Sequence, residues 1–155
     1  DLPPMEFREC RLADSPASEL LREFEVYIAS IIDGFNLGDG PSATQSDFDP
    51  PKGAFFVGVT PEGAPVCCGG VKRCDGFFEI KRMYVRPEFR GKGHGSTLLS
   101  HLEKVAVTMG AAKIRLDTGD KQPAAKAMYL KAAYKEIPDY NGNPFAKVWF
   151  EKDTA

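Results

Sequence analysis

The chain has 155 residues, 43% hydrophobic and 27% charged, with a formal net charge of −2; that balance suits a single globular domain over residues 1–155 whose core needs no staples. Such a charge gives no electrostatic footprint for nucleic acid or an anionic membrane, and no apolar run is long enough to span a bilayer. The start, Asp1-Leu2-Pro3-Pro4-Met5, lacks the basic flank and apolar stretch of a secretory signal, so a cytoplasmic protein with reduced thiols is expected.

Phe7 to Leu12 alternates loosely and is expected as a first strand. Asp14-Ser15-Pro16 reads as a helix start, with a capping side chain and proline in the first turn. Leu20, Leu21, Phe24, Tyr27, Ile28 and Ile31 then recur at helical spacing, and Gly34 is a natural stop. Residues 34–53, rich in Gly, Pro, Ser and Asp, read as a loop, and loops this long in compact domains are often functional. Strands are expected at Phe55 to Val59, Pro65 to Lys72 and Phe77 to Val85, joined by turns at Pro61-Glu62-Gly63 and Asp75-Gly76. Cys67 and Cys68 sit in the second of these as small apolar residues. With Cys10 and Cys74 they make no paired Cys-x-x-Cys motif, and only two histidines exist, so no metal site is expected.

Leu98, Leu99, Leu102, Val105, Ala106 and Met109 form the stripe of a second helix that stops at Gly110. Lys113 to Asp117 reads as a strand, Pro123 opens a helix to about Ala132, and Tyr134 to Ile137 and Lys147 to Phe150 close the chain as strands. The order β-α-β-β-β-α-β-α-β-β implies an α/β fold with a mixed sheet covered by helices, not a doubly wound one.

Between the third strand of the meander and the second helix lies Arg90-Gly91-Lys92-Gly93-His94-Gly95-Ser96-Thr97. Amides at a helix start have no partners inside the helix and sit at the positive end of its dipole. A pyrophosphate can accept those hydrogen bonds while glycines let the backbone come close. Arg90 and Lys92 add charge, and Ser96 or Thr97 a hydroxyl. A P-loop needs Ser or Thr after Gly-Lys, where this chain has Gly93, and the spacing of Gly91, Gly93 and Gly95 does not fit a dinucleotide fingerprint.

Arg90-x-x-Gly93-x-Gly95 matches the coenzyme A signature R/Q-x-x-G-x-G/A, and here the sequence resembles the GNAT superfamily of N-acetyltransferases. Glu79 to Pro87 is similar to that family's fourth strand, and Leu116-Asp117-Thr118-Gly119 and Ala127-Met128-Tyr129 fall at its fifth strand and following helix. The resemblance implies an acetyl-CoA-dependent transferase acting on a primary amine of a small molecule or peptide, with direct attack in a ternary complex. It also implies splayed fourth and fifth strands that admit pantetheine, with Met83 and Val85 pairing their main chains to it, Tyr84 between them, and a backbone N–H near Met83 meeting the oxyanion. Relatives are often homodimers.

By the same resemblance Glu79 is the candidate general base, acting directly or through water; the alternative is a strand glutamate paired with Lys81. Tyr129 is the candidate general acid, because a phenol is protonated at neutral pH; the alternative is a core aromatic. His94 is expected to offer its backbone amide rather than its ring, and His101 to lie on a solvated face beside Glu103 and Lys104. Two departures stand out. Where relatives carry an asparagine at the start of the helix after strand five, this chain has Gln122-Pro123-Ala124-Ala125, and where they carry glycine after that helix it has Ala133, so a differently built helix end is expected. Asp39, Asp47 and Asp49 offer charge to a cationic acceptor or form a solvated loop, and Tyr140 and Phe145 offer an acceptor wall or a dimer face. A non-catalytic acyl-coenzyme A binding module, and an acyltransferase with another acyl donor or a hydroxyl acceptor, remain alternatives.

Overall fold

A computed structural model describes residues 5–35 and 44–154. Its strands are β1 (Glu6–Glu9), β2 (Gly53–Val59), β3 (Pro65–Arg73), β4 (Phe78–Val85), β5 (Lys113–Thr118), β6 (Lys135–Ile137) and β7 (Val148–Asp153); its helices are α1 (Ala17–Ile31), α2 (His94–Thr108) and α3 (Pro123–Lys131). All seven strands form one sheet in the order β1-β2-β3-β4-β5-β7-β6. The element order expected from the sequence holds, with short 3-10 turns added at Gln45–Phe48 and Pro87–Phe89.

The sheet is sorted by the two-residue period of its strands. In β2, Ala54 and Phe56 face one core while Phe55, Val57 and Val59 face the other. Leu98, Leu99, Leu102 and Ala106 of α2 and Tyr129 of α3 fill the first core with Val66, Ile80, Ile114, Leu116 and Phe150. Ala17 and Leu20 of α1 fill the second, where Phe48 also packs against Phe55 at 5.5 Å between ring centroids. Phe48 is 2% exposed, so the loop after α1 is anchored at its far end by a core side chain. Residues 36–43 of that loop, Asp39 included, lie outside the described residues.

Several boundaries differ from expectation for physical reasons. The first strand ends at Glu9: Cys10 still donates its N–H to Phe55 O, but the chain then turns, Asp14 N–H donating to Arg11 O at 3.0 Å. Pro16 occupies the N-cap of α1 and no side chain caps the helix; the backbone closes the turn instead, Ser18 N–H donating to Asp14 O at 2.9 Å. The helix ends at Ile31, and Gly34, at φ 72, redirects the chain afterwards. Ala133 adopts a left-handed φ of 73, so the glycine-type helix end is kept without glycine. Its N–H donates to Leu130 O and that of Tyr134 to Tyr129 O, both at 3.1 Å, the paired bonds of a Schellman motif.

Two features of β4 open the sheet. It pairs with β5 in parallel only at Phe78↔Ile114 and Glu79↔Arg115, and the strands part beyond that point. On its other edge the register slips: Cys68 faces Tyr84 and Gly70 faces Lys81, so residues 84 to 81 of β4 oppose 68 to 70 of β3. Arg82, at φ 58, lies in this bulge. An extra residue in one strand bends it and re-aims the backbone next to it.

Candidate active site

α2 begins inside the glycine loop, with His94 its first residue and Gly93, at φ 87, its N-cap. That left-handed conformation costs an ordinary L residue about 1–2 kcal/mol, and glycine adopts it freely. A Cβ at Gly95 would lie 3.3 Å from Met128 Sδ, so glycine also lets α2 approach α3. The first-turn amides of α2 therefore open into a groove of 440 Å³ between β4 and the start of α3.

Of the residues expected at this cradle, Met83, Tyr84, Val85, Arg90, Gly91, Gly93, His94, Gly95 and Ser96 line the groove. Lys92 is exposed and Thr97 is turned away, its hydroxyl donating to Gly93 O at 3.2 Å. Arg90 is held in place: its Nε donates to Val85 O at 2.8 Å and its guanidinium lies 4.4 Å from the Tyr27 ring centroid. Val85 O is thus already an acceptor. The His94 residue is 3% exposed; its ring packs edge-on to Phe89 and leaves Nδ1 without a hydrogen-bond partner among the described residues. Tyr27, Lys121 and Gln122 join the lining. The helical stripe had placed Tyr27 only as a core residue, and Lys121 carried no sequence signal at all.

A second, narrower cavity of 150 Å³ opens on the far side of the β4 bulge. Phe24, Ile28, Ile32, Phe35 and Phe145 make an apolar wall, and Lys81, Asp117 and Asn143 bring polar groups. Phe35 and Phe145 meet edge-on at 4.8 Å between centroids, joining the chain after α1 to the loop before β7. Groove and cavity share four residues, Phe24, Met83, Gln122 and Tyr129. Tyr129 is buried between them, with its hydroxyl 3.9 Å from Met83 Sδ and its ring against Tyr134 and Phe150. Burial pushes its phenol above its ordinary range. The residue is the core aromatic that the sequence offered as one alternative, and it also lines both spaces.

Glu79 is buried beneath this cavity and does not line it. Tyr140 Oη donates to Glu79 Oε2 at 2.6 Å, Asn141 Nδ2 donates to the same oxygen at 3.1 Å, and Lys81 Nζ lies 3.3 Å from Oε1. The pairing with Lys81 is therefore present. Asp117, at the diverging end of β5, does reach the cavity. It accepts from Asn141 Nδ2 at 2.6 Å and from Asn143 Nδ2 at 3.4 Å, and burial pushes its carboxyl above the usual carboxylate range, opposed by the Asn141 hydrogen bond. Trp149 Nε1 donates to Asn141 Oδ1 at 3.0 Å, which fixes the amide's orientation.

Other expectations are corrected. His101 is not on a solvated face; Phe7 stacks on it at 4.1 Å and Phe56 meets it edge-on at 4.5 Å. Burial first, then Lys104, lowers its pKa. Asp47 and Asp49 line neither space: Asp47 accepts from Thr44 N–H at 2.8 Å to cap the 3-10 turn, and Asp49 accepts from Gln45 Nε2 at 2.8 Å. Tyr140 is committed to Glu79, whereas Phe145 does form cavity wall. All four cysteines are free.

The model of the Acetyltransferase (GNAT) family matches residues 17–134. An uncharacterised N-acetyltransferase of Schizosaccharomyces pombe is 30% identical over 125 residues, covering 73% of this chain and 71% of its own. A GNAT-family acetyltransferase of Staphylococcus aureus superposes with a TM-score of 0.82 at 18% identity, covering 98% of this chain and 100% of its own. The PaiA N-acetyltransferase of Thermoplasma acidophilum, solved in complex with coenzyme A, superposes with a TM-score of 0.70 at 19% identity over 97% of this chain and 99% of its own. With its mixed sheet, parted β4 and β5 and glycine-capped α2, this chain belongs to the GNAT family of acetyltransferases.

Proposed function

We propose that this protein transfers the acetyl group of acetyl-CoA to a primary amine, with the coenzyme in the groove at α2 and the acceptor in the cavity beyond the β4 bulge. The single observation that carries this reading is that the two spaces share Phe24, Met83, Gln122 and Tyr129. Two ligands bound there meet at one point, which is what direct attack in a ternary complex requires.

The groove suits a diphosphate: Gly91, Gly93 and Gly95 line it where α2 begins, the first-turn amides of α2 have no partners within the helix, and Arg90 and Lys121 supply positive charge. Main-chain groups of β4 around Met83 are the proposed donors to the oxyanion. As the amine nitrogen bonds to the carbonyl carbon and the carbon–sulfur bond breaks, the Tyr129 hydroxyl gives its proton to the departing thiolate. Burial keeps that phenol protonated at neutral pH. The amine's proton leaves toward Glu79 through water, because the carboxylate is buried and does not line the cavity.

A thiol-release assay with acetyl-CoA across amines, amino acids, polyamines and peptides tests this reading. Tyr129→Phe should lower kcat by about 10²–10⁴-fold, the usual worth of a general acid, and leave coenzyme affinity unchanged. Coenzyme binding without thiol release from any acceptor would instead mark a binding module.

A further inference from the structure

We propose that Asp117 is the acceptor-binding carboxylate, and that the acceptors are primary amines carried on an apolar or aromatic body. This deepens the transferase reading and rests on it for the reaction, though not for the binding itself.

The chemistry of the cavity is lopsided. One wall is apolar and comes from α1 and the loop before β7: Phe24, Ile28, Ile32, Phe35 and Phe145. The opposite wall carries the polar groups. Among them Lys81 is balanced by Glu79 at 3.3 Å, and Arg82 holds its guanidinium 5.8 Å from the Phe48 ring centroid. Asp117 differs. Its two oxygens are met by the neutral amides of Asn141 and Asn143, and it forms no side-chain ion pair within 4 Å among the described residues. A carboxylate facing an apolar chamber, held by neutral donors, is well served by a bound cation.

The amides also aim it. Asn141 is fixed by Trp149 Nε1 and by a backbone turn in which Asn143 N–H donates to Asn141 Oδ1 at 3.1 Å. Asp139 Oδ1 accepts from the N–H groups of Asn141 and Gly142 at 3.0 and 2.7 Å, which closes the same turn. The late loop therefore presents Asp117 rigidly, next to the residues that the cavity shares with the coenzyme groove. An ammonium held at Asp117 points its nitrogen back toward Met83 and Tyr129, while its carbon body rests on the α1 wall. A second charge on the acceptor would have to lie against that wall without a partner, so polyamines are poor ligands.

Calorimetry with 2-phenylethylamine, hexylamine and spermidine, on the protein with and without coenzyme A, tests the assignment without needing turnover. The two monoamines should bind at least about ten-fold more tightly than spermidine. Asp117→Asn should weaken them about 10–100-fold, the worth of a charge-assisted hydrogen bond, with coenzyme affinity unchanged. Spermidine preferred by wild type, or undiminished monoamine binding by Asp117→Asn, overturns the proposal. Ile32→Glu places an acid on the apolar wall and provides a second reading if Asp117→Asn does not fold. It should raise the ratio of cadaverine to hexylamine affinity by about ten-fold, and an unchanged ratio contradicts the assignment. Amine binding that follows these rules without any thiol release would refute the transferase reading alone.

Discussion

Glu79 and Asp117 share a single donor: Asn141 Nδ2 lies 3.1 Å from Glu79 Oε2 and 2.6 Å from Asp117 Oδ2. One amide thus ties together the buried carboxylate of β4 and the cavity-facing carboxylate of β5. Lys81, 3.3 Å from Glu79 Oε1 and in the same cavity as Asp117, offsets part of the charge.

If Glu79 takes the amine's proton, Glu79→Gln should lower kcat by about 10²-fold or more and flatten the acidic limb of the kcat/KM profile. Coenzyme affinity should not change, since Glu79 lines neither the groove nor the cavity. A pH–rate profile identical to wild type would leave Glu79 as the anchor of Tyr140 and Asn141 and remove it from the chemistry.

The left-handed Ala133 gives a prediction of opposite sign. Its φ of 73 sits in a Schellman turn whose hydrogen bonds are already made. Glycine would keep those bonds and relieve about 1 kcal/mol of backbone strain, partly offset by the entropy glycine brings to the unfolded chain. Ala133→Gly should raise Tm by about 1–2 °C for a domain of this size. A lower Tm would show that the turn tolerates alanine without strain.

A third expectation concerns the tie between α1 and β4. Arg86 grips Glu23 with both arms, Nε to Oε1 at 3.0 Å and a terminal nitrogen to Oε2 at 2.7 Å. The Arg86 hydrogen bonds hold the Glu23 carboxyl below its ordinary value of 4.5, against the opposing effect of burial. A carboxylate depressed in this way contributes stability above its unfolded pKa and loses it as pH falls through the folded value. Melting temperature should therefore drop on acidification below about pH 4.5. Glu23→Gln should show a shallower drop over that window, and equal slopes would argue that this pair contributes nothing.

The sequence carried the fold and the cradle because both are written locally. The alternation of Ala54 to Val59 sorts that strand between two cores, and Arg90, Gly93 and Gly95 form a contiguous run beside an unmistakable helix. The cavity is different. Asp117, Asn141 and Asn143 come from a strand end and a distant loop, and only the β5–β7 pairing brings them together. His101 reads as surface because its neighbours Glu103 and Lys104 are charged, yet β1 and β2 deliver Phe7 and Phe56 onto its ring. Ala133 shows the reverse case: propensity argued against a left-handed cap, and tertiary packing of Tyr134 and Tyr129 imposed it.

The account turns on coenzyme seated at the α2 N-terminus, and calorimetric titration of coenzyme A into wild type and Gly93→Glu tests that seat. Gly93 lines the groove at φ 87, where any side chain is strained and a carboxylate would face a pyrophosphate. Wild type should bind, and the variant, checked for retained fold by circular dichroism, should lose affinity by about 100-fold or more. Equal affinity in the two proteins would place the coenzyme elsewhere and contradict the assignment.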